Sequence, residues 1–109
     1  MSKISELNLN ASVSKKEIVI IDGLEITNKK IILQNVFCKI EIKSIYNKSE
    51  YNSDAYKYIK ILTCRYNEII EKEIFDNGFV IFTVENKNYI ATFKNKDDIY
   101  LYLEIKNGM

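Results

Sequence analysis

Few side chains in this 109-residue chain are able to do chemistry, and their spacing points away from catalysis. There is no His, which removes the commonest general base, the usual partner of a Ser or Cys nucleophile and the most frequent metal ligand. Cys38 and Cys64 are two isolated thiols and make no standard structural zinc site without His. They are expected to be reduced and buried as small hydrophobes, with a disulfide open to them only if their strands are neighbours. Glu68, Glu71, Glu73 and Asp76 have a spacing that an acid–base pair or a hard-cation site would share with the solvated face of a helix, and the solvated face is expected. Asp97 and Asp98 fit a turn. Arg65, the sole arginine, would suit a phosphate but is more simply a surface ion-pair partner. The three glycines stand alone in Asp22-Gly23, Asn77-Gly78 and Asn107-Gly108, so no phosphate-cradling loop exists. No catalytic residue, metal ligand or cofactor is expected.

What remains is contact chemistry. Tyr46, Tyr51, Tyr56 and Tyr58 lie among Asn, Ser and Lys, the composition of a recognition surface in which Tyr supplies contact area at low entropy cost. The competing expectation is that one or two of these rings only cap the edge of the core. Phe79, Ile81, Tyr100 and Tyr102, with Ile90, form a second candidate surface if one side of the C-terminal sheet is uncovered. If the N-terminal hairpin covers that side, the protein closes as a two-layer sandwich. Sixteen basic against fifteen acidic residues leave a net charge of +1, so no broad field holds a polyanion, and nucleic acid is not expected as a partner. Other protein subunits are. Met1 to Ser14 has no signal-peptide run, and nothing approaches the roughly 20 apolar residues of a membrane span. Synthesis in the cytoplasm and no membrane contact are the expectations.

The elements that must position these residues are mostly strands. From Gly78 to Lys106 apolar residues recur at period two. A turn at Asn86-Lys87 would pair Val84 with Tyr89, Phe82 with Ala91 and Val80 with Phe93. A second turn through Asn95 to Asp97 adds Ile99, Leu101, Leu103 and Ile105 to the same face, and Tyr100, Tyr102, Glu104 and Lys106 to the other. Asp22-Gly23 is a type I′ hairpin signal that puts Val19, Ile21, Leu24 and Ile26 on one face, and Ile18, Ile20, Glu25 and Thr27 on the other. Ile31 to Tyr46 reads as one long or bent strand. Residues 54 to 72 read as an amphipathic helix with Ser53 as N-cap, although Tyr58 to Tyr66 has the composition of a strand. Asp76-Asn77-Gly78 ends whatever precedes it. Residues 1–16 are expected to be a loose arm, one able to add a strand to a partner, and 17–109 a single domain. The fold class is α+β, mainly antiparallel hairpins and a C-terminal three-stranded meander with one helix, the alternative being an all-β sandwich or barrel.

Gly23-Leu24-Glu25-Ile26, followed by Ile31 to Ile45 (IILQNVFCKIEIKSI), resembles the opening of small tail or baseplate-associated proteins of bacteriophages with Gram-positive hosts. Those proteins often show an apolar strand, an Asn or Asp, an aromatic residue and then Lys-Ile-x-x-Ile. The likeness covers about a fifth of the chain. It ends at Ile45, where a short Gly turn is replaced by the Tyr-rich segment, and it transfers no functional residue. It implies a non-catalytic virion component assembled through sheet faces and arms, as a homo- or hetero-oligomer. The functional expectation is therefore a structural or protein-interaction module, with an inhibitor or immunity-type protein that blocks an enzyme by contact as the alternative.

Overall fold

A computed structural model describes residues 7–46 and 56–108. The chain runs β1 (Leu9–Ile21), β2 (Leu24–Tyr46), β3 (Tyr56–Arg65), α1 (Glu68–Asn77), β4 (Val80–Val84), β5 (Lys87–Lys96) and β6 (Tyr100–Asn107). The strands form a closed antiparallel barrel in the order β1-β2-β3-β6-β5-β4. The protein is thus mainly β with one short helix. Among the described residues no helix is long and apolar enough to cross a membrane.

The interior follows from alternation. Ala11 and Val13 of β1, Cys38 of β2, Leu62 and Cys64 of β3, Val80, Phe82 and Val84 of β4, Ala91 of β5, and Leu101, Leu103 and Ile105 of β6 form one buried cluster. Ile70 and Ile74, one turn apart on α1, complete it. The helix exists because both ends are capped. The Asn67 side chain accepts from the backbone N–H groups of Ile69 and Ile70 at 2.8 and 3.2 Å. Gly78 closes the other end at φ 90°, donating to the Ile74 carbonyl at 2.7 Å.

The helix is shorter and later than the sequence suggests. Tyr56–Arg65 is a strand, so the amphipathic helix expected over 54 to 72 is replaced by β3 and the start of α1. Ser53 and Asp54 lie outside the described residues. Ile61, Leu62, Thr63 and Cys64 are all buried in succession, which means both faces of β3 are covered and no period-two signal survives. Leu9 to Lys16, assigned by sequence to an arm, form the first part of β1.

In the meander Val80, Phe82, Val84, Ala91, Leu101, Leu103 and Ile105 are interior as expected, but Phe93 is exposed, Tyr100 is buried and the register differs. Val84 pairs with Lys87, Phe82 with Tyr89 and Val80 with Ala91. The turn is Glu85-Asn86, at φ 50° and 65°, and not Asn86-Lys87. A shift of two residues preserves side-chain parity, so Val80, Phe82 and Ala91 are still interior. Ile99 does not join that face. It precedes β6 in a turn where Asp97 Oδ1 accepts from the N–H groups of Ile99 and Tyr100 at 2.8 and 2.7 Å, and it is exposed.

Glu85 occupies a left-handed conformation that costs a β-carbon residue about 1 kcal/mol and suits Asn better. Glu85→Asn should therefore raise stability by roughly 0.5 kcal/mol in a urea titration, with an unchanged slope.

Candidate interaction surface

The first notable surface is an arm. β1 and β2 pair from Leu9↔Cys38 to Ile21↔Leu24, but β1 touches β4 only from Ala11 to Ser14, and β2 meets β3 only from Cys38 onward. Among the described residues Lys15 to Lys30 is therefore a two-stranded hairpin with both outer edges unpaired. Its tip has Asp22 at φ 53° and Gly23 at φ 80°, the left-handed pair that the sequence signals. Register shifts between Ala11 and Val13 and between Val13 and Ser14 give β2 extra residues at the root, and Asn35 sits there at φ 59°. Such bulges sharpen twist and bend, and they turn the arm away from the barrel. The Cα radius of gyration is 16.0 Å, against about 13 Å for a compact chain of this size.

Both faces of the arm carry apolar side chains. Val19, Ile21, Leu24 and Ile26 share one face, and Ile18 and Ile20 share the other with Thr27 and Glu25. Ile18, Ile20 and Leu24 are 62%, 69% and 68% exposed. Burying one such side chain contributes about 1.5–3 kcal/mol, so the set forgoes an amount comparable to a domain's whole net stability. Isolated hairpins are marginal in water, and this one is tied at its root. Lys29 Nζ donates to Thr83 Oγ1 and Asn88 Oδ1 at 3.3 and 3.2 Å. At the same root Lys15 faces Lys30 and Lys16 faces Lys29. Like charges opposite one another destabilise a ladder, and lysines on an open edge discourage strand addition. They disfavour strand addition at the root of the arm and are absent from its outer part.

The second surface is a groove where β2 and β3 diverge. Beyond the Cys38↔Cys64 pair, β3 turns toward α1 while β2 continues into the arm, leaving a space of about 450 Å³ lined by Leu33, Val36, Phe37, Arg65, Tyr66 and Asn67 among others. Phe37 is 54% exposed. The Tyr66 wall is held rigidly. Its hydroxyl donates to Glu71 Oε1 at 2.6 Å, Lys96 Nζ lies 2.6 Å from Glu71 Oε2, and that ammonium sits 5.4 Å from the Tyr66 ring centroid. These bonds hold the Glu71 carboxyl below, and the Tyr66 hydroxyl and Lys96 ammonium above, their ordinary ranges.

The sequence-derived candidates are scattered. Tyr46 and Tyr56 pair at the end of the β2–β3 ladder, Tyr58 is exposed near it, and Tyr51 lies outside the described residues. Phe79 and Ile81 are half-buried, with Ile81 opposite Ile90. Tyr100 is buried, and Tyr102 donates to Asp97 Oδ2 at 2.9 Å. β5, with Ile90, lies between β4, where Ile81 sits, and β6, where Tyr100 and Tyr102 sit. The arm's prominence went unread, although apolar residues on both faces of an Asp-Gly hairpin were its signal.

The groups that resemble catalytic ones have structural partners. Lys72 pairs with Asp76 at 3.0 Å, and Glu71 is tied as above. Among the described residues no three His, Cys, Asp or Glu gather as metal ligands. Cys38 and Cys64 are cross-strand neighbours, yet both thiols are free and buried. Burial pushes Cys38 up to about 11 and Cys64 up to about 12, the latter helped by the charge Cys38 would carry. In the unfolded chain these thiols lose protons near pH 8.5, so rising pH draws the equilibrium toward unfolding until the folded values are passed. Between pH 8 and 10 stability should fall more steeply in the wild type than in Cys38→Ala/Cys64→Ala, by up to about 1.4 kcal/mol per pH unit per thiol. Denaturant titrations at the two pH values measure the difference.

No protein-family model matches this chain, and no curated protein sequence or solved structure matches it.

Proposed function

We propose that this protein is a non-enzymatic structural component that assembles with other protein subunits through the β1–β2 arm, and that the assembly is a bacteriophage virion, at its tail or baseplate. One observation carries the reading. The arm leaves Ile18, Ile20, Ile21, Leu24 and Ile26 in water on a two-stranded extension that does nothing for the barrel core. Apolar patches of this kind mark partner surfaces, and an open strand edge beside them offers backbone hydrogen bonds as well. The resemblance of β2 to small tail and baseplate proteins points the same way.

The test is assembly in the organism that encodes the chain. Full-length tagged protein should be recovered in a high-mass particle together with other structural proteins. Ile20→Lys/Leu24→Lys alters only exposed side chains, so its stability should remain within about 0.5 kcal/mol of wild type while it is recovered as free, folded protein. Recovery of wild type and variant alike as free protein, or turnover of a small substrate, would overturn the proposal.

A further inference from the structure

The arm tip and the groove complement one another. The tip combines Ile20, Ile21 and Leu24 with two carboxylates, Asp22 and Glu25. The groove combines Leu33, Val36 and Phe37 with the chain's sole arginine, and Arg65 makes no ion pair among the described residues. Along the groove, which Leu7 also lines, the β3-facing edge of β2 has no strand partner before Cys38 among the described residues, an edge to which a strand can add. The wall opposite is preorganised by the Tyr66–Glu71–Lys96 contacts, which lowers the ordering cost of binding.

The tip cannot reach the groove of its own molecule. Leu24 and Leu33 lie on the same extended strand, separated by roughly 30 Å at about 3.3 Å per residue. Resting on the reading of this protein as an assembly component, we propose that the arm tip of one copy seats in the β2–β3 groove of a second copy, with Asp22 and Glu25 facing Arg65. Such a contact joins two different surfaces, so each copy still offers a free tip or a free groove. It propagates head to tail and either closes as a ring or grows as a filament.

Sedimentation velocity on the full chain tests this with two variants at exposed positions. Leu24→Asp spoils the tip and leaves the groove intact, while Arg65→Asp spoils the groove and leaves the tip intact. Wild type should form species that grow with concentration up to about 1 mM, and each variant alone should remain monomeric with an unchanged circular dichroism spectrum. An equimolar mixture of the two should form a dimer and stop, because it contains one intact tip and one intact groove per pair. A monomeric wild type across that range, continued assembly of either variant, or a mixture that stays monomeric would overturn the proposal. If the wild type is monomeric but Leu24→Asp no longer enters the particle in the host, the arm serves a different subunit. The self-pairing then falls and the assembly reading stands. If Leu24→Asp enters the particle like wild type, both fall.

Discussion

Barrel closure rests on four residue pairs. Ala11 to Ser14 of β1 meet Ile81 to Val84 of β4, and without that ladder the remaining strands would be an open sheet with two edges. The short contact also decides the form of everything on either side. β4 has only five residues, so β1 has no neighbour after Ser14, and it can continue only as half of a two-stranded ribbon. The two register shifts fall within this same stretch, where β2 must leave the barrel's curvature for the arm. Val13 and Ser14 are both fully buried there, a break in alternation that coincides with the second register shift.

One end of the barrel requires a plug, which α1 supplies. Ile70 and Ile74 enter the core cluster, while Phe75 meets Phe93 with ring centroids 5.9 Å apart. The polar side of the helix is then free to organise its surroundings. Glu71 binds both Tyr66, at the exit of β3, and Lys96, at the end of β5. The ion pair, with its carboxylate largely buried and its ammonium half exposed, locks the position of a ring that lines the groove. A carboxylate that looks catalytic in the sequence thus serves as a brace.

Legibility in the sequence followed how many faces of each element are covered. The meander was readable because β4 to β6 have one interior face, and a register error of two left Phe82 and Leu103 inside. The Asp22-Gly23 hairpin was readable because its backbone demands left-handed residues. β3 was not readable. Tyr58, Ile59, Leu62 and Tyr66 trace a helical stripe by accident, while burial on both faces erased the alternation that would have opposed it. The start of α1 was signalled by Asn67, whose capping role shows only once β3 is known to end at Arg65. The groove depends on β2 and β3 parting after the Cys38↔Cys64 pair, a topological fact with no linear pattern.

The distribution of edges connects the fold to its use. A closed barrel abolishes the exposed strand edges that drive indiscriminate pairing, so a protein meant only to be inert would end β1 and β2 where the barrel ends. Here β2 runs for 23 residues and carries open edge well beyond the barrel. The lysine pairs at the arm's root oppose pairing there, whereas the tip combines exposed isoleucines with the carboxylates Asp22 and Glu25 and has no like-charged cross-strand pair. The extension is lysine-rich at its base, hydrogen-bonded to the barrel by Lys29, and carries its exposed isoleucines beyond that base. Exposed apolar area of this kind is costly in water, and the proposed cover by another subunit is what would offset that cost.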